Sequence, residues 1–147
     1  GRVYFVTSVT KNRAPLFRNL YLGRQVVRTL VHLQAETSAR TWAYVLMPDH
    51  VHWLMEPVDS PLSTIMGRAK AESSRRINRL RGTQGATVWQ SGFHDRAIRR
   101  EEDLQEAARY LVANPLRAGL TPNLGAYSLW DAVWMDPVGG QTDPFPN

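Results

Sequence analysis

Residues 41–57 read TWAYVLM, then Pro48-Asp49, then HVHWLMEP: two runs of β-branched, aromatic and aliphatic residues joined by two turn-forming ones. No other stretch restricts the fold as tightly. Proline fixes φ at the corner and aspartate satisfies turn backbone, so the pattern predicts an antiparallel hairpin with strands at 41–47 and 50–57. A hairpin is not stable alone in water, so the remaining chain must supply neighbouring strands and a covering layer.

Those partners are legible on both sides. VYFVTSVT, residues 3–10, has strand composition and stops at the proline-containing break KNRAP. From Leu16 to Ala35, the apolar residues Phe17, Leu20, Tyr21, Val27, Leu30 and Val31 recur at helical spacing, with Arg18, Arg24 and Arg28 elsewhere on the cylinder. Ser60-Pro61 opens a second helix through LSTIMGRAKAESSRRINRL, with the proline where a missing N–H costs nothing. RGTQGAT is a polar loop, and TVWQSGFHDRAIR, residues 87–99, reads as a strand with a Ser-Gly bend. EEDLQEAARYLVANP starts a third helix with acids at its positive end, and Asn114-Pro115 closes it.

The order β-α-β-β-α-β followed by a helix predicts an α+β protein of the ferredoxin-like, split βαβ plan. Its antiparallel sheet carries helices on one face, and the C-terminal helix is added to it. One domain is expected over residues 1–135, with Tyr127, Trp130 and Trp134 as packing anchors in its irregular last part. DPVGGQTDPFPN, residues 136–147, is expected to be a flexible C-terminal tail.

Composition narrows the class of function. The 147 residues suit a single domain. No apolar run approaches the roughly 18 residues of a membrane-spanning helix, and Arg2 leads into strand-like alternation in place of a signal peptide. Gly1 is not an initiating residue, so a few residues are expected ahead of it. The chain has no cysteine, which removes disulfides, thiolate metal sites and cysteine nucleophiles and is compatible with the cytoplasm. Any metal must therefore use nitrogen and oxygen ligands. Net charge is +5, and every basic residue except Lys11 and Lys70 is arginine. Arginine grips phosphate at two points and stacks on bases, so the bias points to nucleic acid, with a merely solvated basic surface as the alternative.

The chain has four histidines, and two of them are His50 and His52. Residues i and i+2 of a strand share a face, so the two imidazoles project together as half of a metal site. On the third helix Tyr110 and Asn114 stand at i and i+4, with Glu106 one turn earlier. Spacing alone leaves plainer readings open: an exposed alternating strand, a core tyrosine among Leu104, Ala107, Ala108 and Leu111, and an asparagine cap.

MPDHVHWLM, WQSGFHDRAIR and YLVANPLRAGL, in that order, together resemble the single-tyrosine HUH transposases of the insertion-sequence type. The likeness is greatest to their domesticated bacterial relatives, the REP-associated tyrosine transposases, and it runs from the first strand to Leu120. The resemblance implies that His50 and His52 bind a divalent cation, Mg²⁺ or Mn²⁺, and that Tyr110 is a nucleophile. Asn114 falls where insertion-sequence members usually carry glutamine as third ligand, and its shorter side chain also offers an amide oxygen suited to a hard cation.

The implied chemistry is transesterification of single-stranded DNA through a 5′-phosphotyrosine, which leaves a free 3′-OH able to reverse the step elsewhere. The implied substrate is a palindromic repeat folded into a hairpin, with a single-stranded signature beside the stem. Arg68, Lys70, Arg75, Arg76 and Arg79 would contact stem phosphates, Arg96, Arg99 and Arg100 would flank the cleaved strand, and His94 would be a polar group in the cleft. Trp53 and Trp89 either stack on bases or fill the core. Neither Glu106 nor Asp49 acquires a role, and Asp49 is expected to serve the turn. A monomer in the bacterial cytoplasm, associated with the nucleoid, is expected in preference to a homodimer. Two rivals share these residues: a non-catalytic hairpin-binding protein of the same fold, and a metal-dependent hydrolase in which Tyr110 is structural.

Overall fold

The computed structural model describes residues 2–114 and the backbone of 130–132. In chain order the elements are β1 (Val3–Val9), α1 (Leu20–Ala35), β2 (Ala39–Met47), β3 (His50–Pro57), α2 (Leu62–Arg81), β4 (His94–Ile98), α3 (Glu101–Val112) and β5 (Trp130–Ala132), with short 3₁₀ turns at Lys11–Arg13 and Leu16–Arg18. Tyr127, Trp134, the side chain of Trp130, Pro115 and the 136–147 tail lie outside the described residues. Among the described residues no helix is long and apolar enough to cross a membrane.

The hairpin closes as the turn chemistry requires. Met47 pairs with His50 and Val45 with His52, and the register shifts between Thr41 and Ala43. Its corner is clamped from outside: the Asp49 carbonyl accepts from the Thr10 amide at 2.9 Å and the Pro48 carbonyl from the Phe17 amide at 3.0 Å. β1 pairs with β3 and with β4, and β5 adds to the far edge of β2, all antiparallel. The strand order β4-β1-β3-β2-β5 contains the 4-1-3-2 sheet of the split βαβ plan, extended by one short strand.

Side-chain alternation divides the sheet into two faces with different covers. Val6, Trp53 and Met55 pack with Leu30 and Leu33 of α1 and Ile65 and Met66 of α2. Ala43, Val45 and Leu54 pack with Leu104, Ala108 and Leu111 of α3. Two helices therefore share one face, as expected, and the last helix lies alone on the other. A third cluster, including Phe17, Leu46, Val51, Ile77 and Trp89, seals the first face at its hairpin end.

Three local details depart from the sequence reading. Residues 16–18 form a separate turn, and Asn19 caps α1 by accepting from the Tyr21 amide at 2.9 Å. The cap restarts the helical phase, so the buried stripe is Leu22, Val26, Leu30 and Leu33, while Tyr21 and Val31 are 68% and 63% exposed. The strand expected over 87–99 shrinks to His94–Ile98. Upstream of it Trp89 makes only a single bridge to Thr10, Gly92 turns at φ 78°, and the Lys70 ammonium donates to the carbonyls of Gln90 and Gly92. The helix expected to run to Asn114 ends at Val112 with Ala113 as its cap, which leaves Asn114 just beyond.

Candidate active site

β3 puts His50, His52 and Leu54 on one face, and Leu54 packs into the cluster beneath α3. The imidazoles are therefore on the α3 side of the sheet, half-buried, with ring centroids 4.7 Å apart. Each has its Nδ1 engaged. His52 Nδ1 lies 2.8 Å from the hydroxyl of Thr7, its cross-strand partner, and His50 Nδ1 lies 2.7 Å from Asp49 Oδ1. The Asp49 carboxylate can only accept, so it holds His50 in the tautomer whose Nε2 carries the lone pair that ligates a metal, while the Thr7 hydroxyl, which can donate or accept, fixes the orientation of the His52 ring.

Asp49 was expected only to make the turn. It also accepts from Arg13 Nη1 at 3.1 Å on its second oxygen, so both carboxylate oxygens are used. Burial alone would raise its carboxyl pKa, but the hydrogen bonds and positive charge of His50 and Arg13 together hold it below the usual carboxylate value. The turn that brings Arg13 there sets Asn12 and Arg13 at φ 56° and 52°, left-handed values uncommon for residues with a side chain. An acid directly preceding a face-sharing histidine was the signal available in the sequence.

Tyr110 is not a core residue: it is 57% exposed on α3. Phe5 of β1 connects it to the histidines, with ring centroids 5.2 Å from His52 and 6.4 Å from Tyr110. Arg96, the cross-strand partner of Phe5, places its guanidinium 5.5 Å from the same ring. His94 pairs with Thr7 from the other side, so His52, Thr7 and His94 form one row across three strands of this face. No cluster of three or more His, Cys, Asp or Glu suited to a metal occurs among the described residues. Among the described residues, an amide oxygen is carried by Asn114, half-buried beyond the end of α3.

The basic residues divide by what they already hold. Arg68 donates to Ser38 Oγ and to Glu36, and Arg76 to Glu72, while His32 stands between those two glutamates at 2.9 and 2.7 Å. These groups tie α1 to α2. Lys70 pins the 90–92 loop, and partial burial lowers its pKa. Arg75 and Arg79 are exposed and line a cleft of about 310 Å³ with Asn78 and Gln84. Arg100 pairs with Asp103 at 3.2 Å. Arg96 and Arg99 line a second cleft, of about 480 Å³, between β4 and α3, together with Asp103, Glu106 and Tyr110. Trp53 and Trp89 are buried, with indole N–H groups donating to Thr41 and Ser73, so neither is available to stack on a base.

The resemblance read from the three motifs is borne out by comparison with known proteins. A Haemophilus influenzae protein assigned as a REP-associated tyrosine transposase is 26% identical over 132 residues, covering 81% of this chain and 73% of that protein. The solved structure of a REP-associated tyrosine transposase bound to a REP hairpin matches with a TM-score of 0.75 at 17% identity, over 100% of this chain and 86% of that one. A candidate transposase from Deinococcus radiodurans R1 matches with a TM-score of 0.56 at 17% identity, over 75% and 88%. At those identities the two structures attest the fold. The family described as Transposase IS200 like matches residues 3–114, a span that holds the four-stranded core sheet, both face-sharing histidines and Tyr110, and the chain belongs to that family.

Proposed function

We propose that the protein is a metal-dependent single-stranded DNA endonuclease and strand transferase that uses Tyr110 as its nucleophile beside palindromic-repeat hairpins. One observation carries the reading: an exposed tyrosine stands over the sheet face that presents two histidines, each with Nδ1 engaged, and Phe5 touches both sides of that arrangement. His50 and His52 through Nε2, and Asn114 through its amide oxygen, would hold Mg²⁺ or Mn²⁺. A cation bound there supplies neutralisation of a non-bridging phosphate oxygen and favours the phenolate over the phenol.

Tyr110 Oη attacks phosphorus, the bond from phosphorus to the 3′ oxygen breaks, and the proton lost by tyrosine is balanced by the one gained by the departing 3′-OH. One phosphoester replaces another. The step therefore needs no ATP, and a 3′-OH can reverse it to join a strand. Phe5 spaces the tyrosine from His52, while Asp49 and Thr7 orient the imidazoles.

An arginine-dominated charge of +5, and a relative of the same fold bound to a REP hairpin, support hairpin and single-stranded DNA as partners. Arg75 and Arg79, exposed on α2, suit stem phosphates, and Arg96 and Arg99, beside Tyr110, suit the cleaved strand. The protein acts as a monomer on this reading.

The test is incubation of a hairpin oligonucleotide bearing a single-stranded flank with the protein and Mg²⁺ or Mn²⁺, followed by denaturing electrophoresis. A protein-DNA adduct is expected, lost with chelator and in Tyr110→Phe. A cut without an adduct that survives Tyr110→Phe would establish water as the nucleophile, and binding without cutting would reduce the protein to a hairpin-binding module.

A further inference from the structure

The cleft between β4 and α3 opens next to Tyr110 and has two chemically opposite walls. Arg96 and Arg99 stand on the strand side, and Asp103 and Glu106 on the helix side. Its volume of about 480 Å³ lies in the range of small-ligand clefts, roughly 300–1,000 Å³. Asp103 is already paired with Arg100. Glu106 is exposed and has no hydrogen-bond or ion-pair partner among the described residues.

A lone carboxylate is an awkward neighbour for DNA, because phosphates repel it. Where such a group faces a nucleic-acid strand, the favourable contact open to it is with the donors on a base edge: the amines of cytosine and adenine, or the N1–H and amine of guanine, whereas the one donor of thymine, N3–H, lies between two carbonyl oxygens that repel a carboxylate. The opposite wall complements this, since two guanidinium groups attract the phosphate that the carboxylate repels. β4 is also the edge of the sheet among the described residues, so one row of its backbone donors and acceptors has no strand partner there. A single nucleotide laid across the cleft would put its phosphate on Arg96 and Arg99 and its base edge on Glu106.

We infer that this cleft is a base-reading pocket: it takes one unpaired, amine-bearing nucleotide (cytosine, adenine or guanine, not thymine) flanking the scissile phosphate, and Glu106 reads it. The inference rests on the proposed function for the identity of the strand, but it concerns binding, which does not require cleavage.

The test therefore uses Tyr110→Phe protein, which keeps the oligonucleotide intact, and fluorescence anisotropy with a hairpin whose single-stranded flank is substituted position by position with each of the four bases and an abasic site. At one flanking position, thymine and the abasic site are expected to bind about tenfold more weakly than an amine-bearing base, the discrimination typical of one good base contact. Adding Glu106→Ala should shrink that difference to within about twofold and leave the thymine oligonucleotide bound as well as before, because its contact was never made. Glu106→Gln, which keeps one acceptor oxygen, should retain part of the preference. Equal affinity for all bases at every position would overturn the inference, as would a preference that persists in Glu106→Ala, or no binding of any oligonucleotide. If the preference is found but wild-type protein forms no covalent adduct, the cleavage reading falls and the pocket stands. If adducts form without any base preference, the reverse holds.

Discussion

Asp49 has one carboxylate oxygen on His50 Nδ1 and the other on Arg13, and the two contacts differ in what they control. The first sets the tautomer and ring orientation of a proposed metal ligand. The second is a largely exposed ion pair, with the Arg13 side chain 66% accessible, and such pairs contribute about 0–1 kcal/mol. Asp49→Ala is therefore expected to weaken Mn²⁺ binding by about 10–100-fold, the usual effect of losing a partner that orients a ligand. Arg13→Ala should weaken it by no more than about fivefold. Isothermal titration calorimetry of both variants checks this, and equal effects would remove the orienting role. The histidine pair was legible in the sequence because strand alternation has a period of two and any His-x-His on a strand shares a face. Asp49 was not, because a Pro-Asp corner already explains an aspartate. Phe5 was invisible for another reason: only the register between β1, β3 and β4 shows that it lies beside His52.

The cations in the later turns of α2 read alike in sequence, as contacts to stem phosphates, yet they do unlike things once folded. Arg68 and Arg76 bind carboxylates that link α1 and α2, and Lys70 holds two loop carbonyls. Arg75 and Arg79 have no such partners among the described residues and face a solvent cleft. Arg75→Ala and Arg79→Ala should each lower hairpin affinity and reduce the slope of log K against log salt by about one, measured by anisotropy over a salt series. Lys70→Met should instead lower stability by about 1–2 kcal/mol through two lost hydrogen bonds from a charged donor, read from urea unfolding, with a smaller change in salt slope. Existence and type of the helices were legible from spacing, whereas the phase of α1 was not, because one capping residue, Asn19, resets it. The Ser-Gly bend was legible and is present, with Gly92 at φ 78°, but residues 87–93 before the strand make a single bridge in place of regular pairing, and Lys70 takes the carbonyls of Gln90 and Gly92.

At the scale of the molecule, the sheet separates two jobs. Its α1/α2 face carries most of the packing and the basic surface of α2, and its α3 face carries the histidines, Tyr110 and the mixed-charge cleft. The two meet at the hairpin end, where Ile77 of α2 packs with Val51, the residue between the two histidines. The split βαβ order was readable from element succession alone. That the last helix takes the opposite face from the first two was not readable from element order; there the apolar side of α3, Leu104, Ala107, Ala108 and Leu111, packs against Ala43, Val45 and Leu54.

Tyr110, and no other residue, is expected to become joined to DNA. The direct measurement is mass spectrometry of the peptide recovered from a nuclease-trimmed adduct formed on a hairpin oligonucleotide with Mn²⁺. The account predicts a nucleotide attached by its 5′-phosphate to Tyr110. A phosphorylated peptide that does not contain Tyr110, or cleaved DNA with no peptide attached, would contradict it.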